Sequence, residues 1–214
     1  GLVEKQSCGC YPACDWAVVE EQHIFSEKGH VAYAALHLKH DDYEPIKTYK
    51  ELPYDSLSAI TSPLSKLSEG EGAIIQILMR TTESKYKEEG KSYMSKTKKK
   101  EATPDKATFS VDQKSLERIG EKLSRPGYDV AIRLVATAQD KKIAEMHVKN
   151  MKTAFNQFAS EQNSFGTAKI LFKYGFMVNF IYKFFPVIDL PFAKSTSVLS
   201  SEELATIFHL PNKT

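Results

Sequence analysis

The sequence predicts an α+β fold, the ferredoxin-like split β-α-β sandwich, in which a four-stranded antiparallel sheet carries two helices on one face. The prediction depends on the order of the patterns, which run strand, helix, strand, insertion, strand, helix, strand. It depends also on the apolar face of each helical pattern, because a crossover helix must cover the sheet whose strands it joins. A chain of 214 residues with 42% hydrophobic content is large enough to bury such a core.

The four predicted strands are short apolar runs bounded by turn residues. They are HVAYAALHL (30–38), AIIQILMR (73–80), YDVAIRLVATA (128–138) and FGTAKILFK (165–173). In the third run, the apolar residues from Val130 to Ala136 alternate with Ala131, Arg133 and Val135. A period of two is typical of a β-strand.

The first predicted helix lies in YDSLSAITSPLSKLSEGEG (54–72). Its apolar residues recur at spacings of three, four and three, at Leu57, Ile60, Leu64 and Leu67. Asp55 is the expected N-cap and Gly70 the expected C-cap. Pro63 lies inside the pattern and lacks a backbone donor, so we expect it to kink or split this helix.

The second predicted helix begins after Asp140, its expected N-cap. Its apolar stripe steps by four, three, four and three, through Ala144, Val148, Met151, Phe155 and Phe158. His147 lies beside this stripe, and we interpret it as a hydrogen-bonded packing residue in preference to a ligand or a base.

Residues 82–124 form the predicted insertion. Between Glu83 and Lys106 it carries eight lysines against five acidic residues, which is typical of a mobile, solvated segment. A short helix is expected near its end, with Leu116, Ile119 and Leu123 facing inward. The formal net charge of the whole chain is +2, so any basic patch must be local. Because flexible lysines contact phosphates as point charges, the possible nucleic-acid contacts are Lys96, Lys98, Lys99 and Lys100.

The sequence lacks the common catalytic motifs. It contains no G-x-x-x-x-G-K-[ST], G-x-S-x-G or H-E-x-x-H pattern, and GEG (70–72) is interpreted as a tight turn. Cys8, Cys10 and Cys14 lack the paired C-x2-C spacing of structural zinc sites, so we interpret them as reduced thiols, with metal binding as the alternative. HLKHDD (37–42) is likewise interpreted as a polar strand end in preference to a surface metal site. We therefore predict no catalytic, cofactor or metal site.

The C-terminal region is rich in aromatic residues. Lys173 and Lys183 interrupt the apolar stretch 170–192 and Pro186 breaks it, so a membrane span is not predicted. Eight aromatic residues between Phe172 and Phe192 exceed what a small core needs. They either extend the core over the open face of the sheet or form a patch that a partner covers.

A short terminal helix is predicted by Ser200 and Glu203, which have the S-x-x-E relation of a capping box. We expect its apolar face to be left uncovered by the residues that follow. The predicted partner interface combines the two regions: Phe176, Phe180, Tyr182, Phe184, Phe185, Phe192, Leu204, Ile207 and Phe208.

Three passages resemble the region upstream of the motor domain in bacterial type IV secretion and conjugative DNA-transfer ATPases. They are PIKTYKELPYDSLSAITSPLSKLSEGEGAIIQILMR (45–80), RPGYDVAIRLVATAQDKKIAEMHVKNMKTAFNQF (125–158) and SVLSSEELATIFHLPN (197–212). The acidic-glycine turn SKLSEGEGAIIQIL and the segment LSSEELATIFHLP are the most similar parts. Pro63, the cysteine-rich start and the lysine-rich insertion are departures from the family pattern.

The resemblance implies an N-terminal accessory domain whose ATPase domain follows Thr214. It further implies contacts with that ATPase domain, with other secretion subunits or with further copies, in the cytoplasm at the inner face of the cell membrane. No catalytic residue is carried over, because the Walker motifs are absent from this chain.

The resulting domain hypothesis divides the chain into three parts. Residues 1–28 are a loosely ordered segment, residues 29–175 the ferredoxin-like domain, and residues 176–214 an aromatic extension with a junction helix. We expect a non-enzymatic assembly domain that makes protein–protein contacts without inserting into a membrane. The alternatives are a single-stranded nucleic-acid-binding module that uses the lysine-rich loop and a small metal-dependent enzyme.

Overall fold

The computed structural model describes residues 23–101, 113–186 and 193–209, without the side chains of residues 100 and 101. Within these ranges the chain is an α+β structure with an open, five-stranded antiparallel sheet and six helices. The predictions for the three cysteines, for residues 1–22 and for Phe192 concern parts of the chain outside the described residues.

The strands are β1 (His30–Leu38), β2 (Gly72–Thr81), β3 (Gly127–Ala138), β4 (Phe165–Thr167) and β5 (Ser197–Ser200). The helices are α1 (Ser56–Thr61), α2 (Lys85–Glu101), α3 (Gln113–Ser124), α4 (Lys141–Ala154), α5 (Lys173–Ile181) and α6 (Ser201–Ile207). Short 3₁₀ turns occupy Tyr49–Glu51, Leu64–Lys66 and Phe155–Phe158.

The strand order of the sheet is β2-β3-β1-β4, and every neighbouring pair is antiparallel. The long strand β3 pairs with β2 along one edge; along its other edge, residues 132–138 pair with β1 and residues 127–130 with β5. Strand β5 therefore continues the line of β1. The four predicted strands are present, but the fourth ends at Thr167 instead of 173, and β5 was not predicted.

Helices α1 and α4 cover one face of the sheet, where they enclose the main apolar core. All five residues of the predicted α4 stripe are buried, and the Asp140 carboxylate accepts a hydrogen bond from the Lys142 N–H at 2.6 Å. His147 is also buried, with its Nε2 2.9 Å from Oε2 of Glu71. The predicted hydrogen bond of His147 is thus present, and its role as a packing residue in preference to a base stays a prediction.

Helix α1 is short because Pro63 follows it. The Asp55 carboxylate caps its first turn by accepting the N–H groups of Leu57 and Ser58. The helix ends at Thr61, and the chain resumes as a 3₁₀ turn after Pro63, which is the split expected from the missing donor. Gly70 does not cap this helix; with φ of 81° it forms the turn that enters β2.

The insertion is helical, so the expectation of a mobile segment is wrong for residues 85–101. Helix α2 packs against α3 and the loop after β1 in a second apolar cluster formed by Tyr43, Tyr86, Met94, Ile119, Leu123 and Val198. Gly90 permits this approach, because a Cβ added there would lie 2.8 Å from side-chain atoms of Leu123 and Tyr43. The lysine-rich composition reflects the side of the helix that faces solvent. It gives no sign of the side that packs against the rest of the fold.

The terminal helix α6 is held by a buried ion pair between Lys122 of α3 and Glu203. Their Nζ and Oε2 atoms are 3.1 Å apart, and each side chain is 1% exposed. Glu203 also accepts the N–H groups of Ser200 and of Ile46, in the loop after β1. The predicted capping box is therefore present, and its glutamate joins three segments that are distant in sequence.

The apolar face of α6 is partly covered, contrary to the expectation from the sequence. Ile207 is fully buried in the main core and Leu204 packs against it, whereas Phe208 is 56% exposed. Helix α1 and the sheet lie against this face.

None of the helices in the described ranges has the length and apolar content needed to cross a membrane.

Replacing Lys122 with methionine should destabilise the fold by about 3–5 kcal/mol, because it leaves the Glu203 carboxylate buried without its charge partner. Urea unfolding measures the change in the free energy of unfolding. The matched control is Lys141→Met, whose exposed ion pair with Glu145 is worth about 0.5 kcal/mol or less. Equal losses for the two variants would contradict a special role for the buried pair.

Candidate functional site

Helix α5 lies across the face of the sheet opposite α1 and α4. The ring of Phe176 stacks on Tyr33 of β1 with 4.9 Å between ring centroids. Phe180 is buried, and its carbonyl accepts a hydrogen bond from Nε2 of Gln76 in β2 at 3.0 Å. The inner side of α5 is thus anchored to two strands of the sheet.

The strongest anchor of α5 is Arg133, in the middle of β3. Its guanidinium donates to the Asn179 carbonyl at 2.8 Å and to the Phe184 carbonyl at 2.6 Å. It also donates to Oε1 of Gln76 at 2.9 Å. The residue is 3% exposed, and burial lowers the pKa of Arg133, although a guanidinium stays charged at any physiological pH. No carboxylate among the described residues forms an ion pair with it.

A cavity of about 340 Å³ opens between α5 and the sheet beside Arg133. Its apolar walls include Ile170, Leu171, Phe172 and Pro186, and Lys169 also lines it. Gly175 lies in the wall contributed by α5 and leaves the space open, because it has no side chain. The cavity therefore combines apolar walls with two cationic residues.

The outer side of α5 and the turn after it form an exposed aromatic surface, which we define as Phe172, Tyr174, Ile181, Tyr182 and Phe184. Phe172 is 76% and Tyr174 85% exposed. The rings of Tyr182 and Phe184 stack on each other at 5.7 Å. The charged residues between 162 and 186 are three lysines, at 169, 173 and 183, with no acidic residue. Along the chain, these apolar residues are thus interspersed with lysines.

The described residues of the predicted interface fall into three groups. Tyr182, Phe184 and Phe208 are exposed and remain candidates for a partner contact. Phe180 and Ile207 are buried in the fold, so their assignment to an exposed interface is wrong. The partly buried members are Phe176 on Tyr33, Leu204 on the core, and Phe185, whose ring lies 4.3 Å below the guanidinium carbon of Arg80.

Phe172 and Tyr174 belong to the exposed surface but were absent from the predicted interface. Arg133 and its cavity were missed as well. A signal was available for Arg133, since a lone arginine in the otherwise apolar run VAIRLVA needs polar partners wherever that strand is buried.

The predicted nucleic-acid contacts lie near the C-terminal end of α2. Lys96, Lys98 and Lys99 are exposed, and the Lys100 side chain is outside the described residues. Lys98 and Lys99 share one depression on the helix surface with Lys91, whereas Lys96 does not line it.

The HLKHDD segment has structural contacts. The Asp42 carboxylate pairs with Lys194 at 2.8 Å, and the Asp41 carboxylate accepts the hydroxyl of Tyr43 at 2.8 Å. The described part of the chain contains no group of three or more histidine, cysteine, aspartate or glutamate residues that could hold a metal ion.

Comparison with known proteins gives one family match. A family model described as "Domain of unknown function (DUF8128)" matches residues 9–214. No curated protein and no solved structure matches the chain.

Truncating the inner and outer aromatics of this region should have different effects. Phe180→Ala should cost about 3–5 kcal/mol of stability, because it empties a buried site between α5 and the sheet. Tyr182→Ala should change the stability by less than about 1 kcal/mol, since that side chain is 65% exposed. Thermal unfolding of both variants measures the difference, and similar losses would show that α5 is not anchored in this way.

Proposed function

The chain belongs to the DUF8128 family, and we propose that it is a non-catalytic accessory domain of a type IV secretion or conjugative DNA-transfer motor ATPase. The three resembling passages support this proposal, and the exposed aromatic surface of the α5 region is the observation that carries it. In this proposal the ATPase domain follows Thr214, and the assembly lies at the inner face of the cell membrane. The domain contributes contacts between subunits, not chemistry.

We propose further that the fold is the ferredoxin-like arrangement with additions. The antiparallel order β2-β3-β1-β4 supports it, as does the placement of α1 and α4 on one face. The additions are the α2–α3 insertion, helix α5 on the second face, and β5 with α6.

The proposed partner of the aromatic surface is a neighbouring protein subunit with acidic residues around an apolar patch. Exposed aromatic clusters of this kind are typical of interface cores, where tyrosine and phenylalanine are enriched. The three lysines at 169, 173 and 183 favour an acidic partner surface. A two-fold contact between identical copies would bring these lysines together, so a different surface is favoured over self-association.

Photo-crosslinking in cells tests this proposal. A photoreactive phenylalanine analogue replaces Tyr174 or Tyr182 in the full-length protein, and mass spectrometry identifies the crosslinked species. Both positions should crosslink to a subunit of the secretion apparatus, because both belong to the exposed surface. The matched control is Tyr54, which is 57% exposed but lies beside α1, and which should give no such product.

Each other outcome contradicts part of the proposal. Crosslinks to lipid alone, or none above the Tyr54 control, would exclude a protein partner for this surface. A partner outside any secretion or DNA-transfer apparatus would exclude the motor assignment. The parent gene offers a further check, since a Walker A motif should be encoded after Thr214.

A second candidate function is single-stranded nucleic-acid binding by α2. The observation that favours it is the depression shared by Lys91, Lys98 and Lys99, because a helix holds these lysines in a fixed spacing that a mobile loop would not. Lysines in such an arrangement can follow a phosphate backbone without reading bases.

Titration with single-stranded DNA at two salt concentrations tests this candidate function. Binding through phosphates should weaken steeply as the salt concentration rises. The double variant Lys91→Gln with Lys98→Gln should make the negative slope of log K against log salt shallower by about 1–2. Lys141→Gln with Lys142→Gln on α4 serves as the charge-matched control. Undetectable binding at low salt, or an equal effect of the control, would remove this candidate.

A further inference from the structure

Arg133 carries a buried charge that no carboxylate among the described residues balances. Three of its five N–H groups are bonded to the Gln76 side chain and to the carbonyls of Asn179 and Phe184. These partners are neutral, so they supply hydrogen bonds without a counter-charge. A buried guanidinium without an anion is costly, and buried charges in proteins are ordinarily paired.

The space beside Arg133 has the size and lining of a small-molecule site. Its volume of about 340 Å³ lies in the range of ligand pockets, which are mostly apolar with a few placed polar groups. Among the described residues of its wall, the ionisable ones are Arg133 and Lys169, both cationic. The rest of the wall is largely apolar and includes Ile170, Leu171 and Phe172.

We propose that this cavity binds a small amphipathic anion, with a single carboxylate or phosphate head at Arg133 and an apolar tail against Ile170, Leu171 and Phe172. An inorganic anion would leave the apolar walls uncovered, and a neutral apolar molecule would supply no counter-charge to Arg133. A ligand with both parts satisfies both, because a guanidinium bonds strongly to either type of oxyanion. This inference does not depend on the proposed role in secretion.

Titration of the unmodified protein tests the two parts of the ligand separately. The probes are decanoate and decyl phosphate, which carry both parts, decanol, which lacks the charge, and acetate, which lacks the tail. Heteronuclear NMR follows the Arg133 side chain and the Gly175 amide at probe concentrations below micelle formation. Decanoate or decyl phosphate should shift both signals and bind about 10- to 100-fold more tightly than decanol, the value of a charge-assisted hydrogen bond.

The comparison of decanoate with decyl phosphate identifies the head group, and binding of either one supports the proposal. Equal binding of decanol would refute the role of Arg133, and equal binding of acetate would refute the role of the apolar walls. Binding of decyltrimethylammonium as tight as that of decanoate would show detergent-like association. Absence of binding by both anionic probes would overturn the proposal.

A cavity-filling variant provides the second test without removing Arg133. Gly175→Leu places a side chain in the wall of the cavity, and its Cβ would meet its nearest neighbour, Cβ of Phe172, at an ordinary 3.8 Å. The fold should therefore persist while affinity for the anionic probe falls at least about tenfold. The matched control is Gly120→Leu in α3, where an added Cβ also makes an ordinary contact, 3.6 Å from Cε of Met94. Unchanged binding in Gly175→Leu would overturn the proposed location.

Discussion

The ion pair between Lys122 and Glu203 is the interaction on which the outer parts of this fold depend. Glu203 caps its own helix and accepts a backbone hydrogen bond from the loop after β1, while Lys122 reaches it from the insertion. Lys122 also donates to the Glu44 carbonyl. Charges removed from water need all of these partners at once, so three segments distant in sequence must assemble together. The insertion and the terminal helix are therefore parts of the domain and not appendages.

The two faces of the sheet are covered in different ways. Helix α4 is attached by an apolar stripe that is buried along its length. Helix α5 is attached by stacked rings and by hydrogen bonds from side chains of the sheet to its own backbone carbonyls. Hydrogen bonds to backbone carbonyls fix the position of a helix, but they do not depend on which side chains the helix carries on its outer side. The outer side of α5 is thus free to carry residues selected for contacts with other molecules.

The sequence predicts the elements whose periodicity reflects burial on one face. The α4 stripe was predicted for that reason, whereas strand β1 was predicted as a short apolar run bounded by turn residues. Pro63 split its helix as its missing donor requires. Helix α2 was missed because its packing residues, Tyr86, Gly90 and Met94, are few and include a glycine. Strand β5 has four residues and depends on a tertiary partner, so no local pattern marks it. The Arg133 cavity required knowledge of which helix would cover that strand.

Strand β5 also closes an open edge. Without it, residues 127–130 of β3 would present unpaired backbone groups beside the end of β1, where the Leu38 N–H now bonds to the Ser197 hydroxyl. Exposed strand edges of this kind recruit other chains and promote aggregation. A truncation before Ser197 would expose such a template in the centre of the sheet. By pairing with this edge, strand β5 therefore prevents the edge from pairing with strands of other molecules.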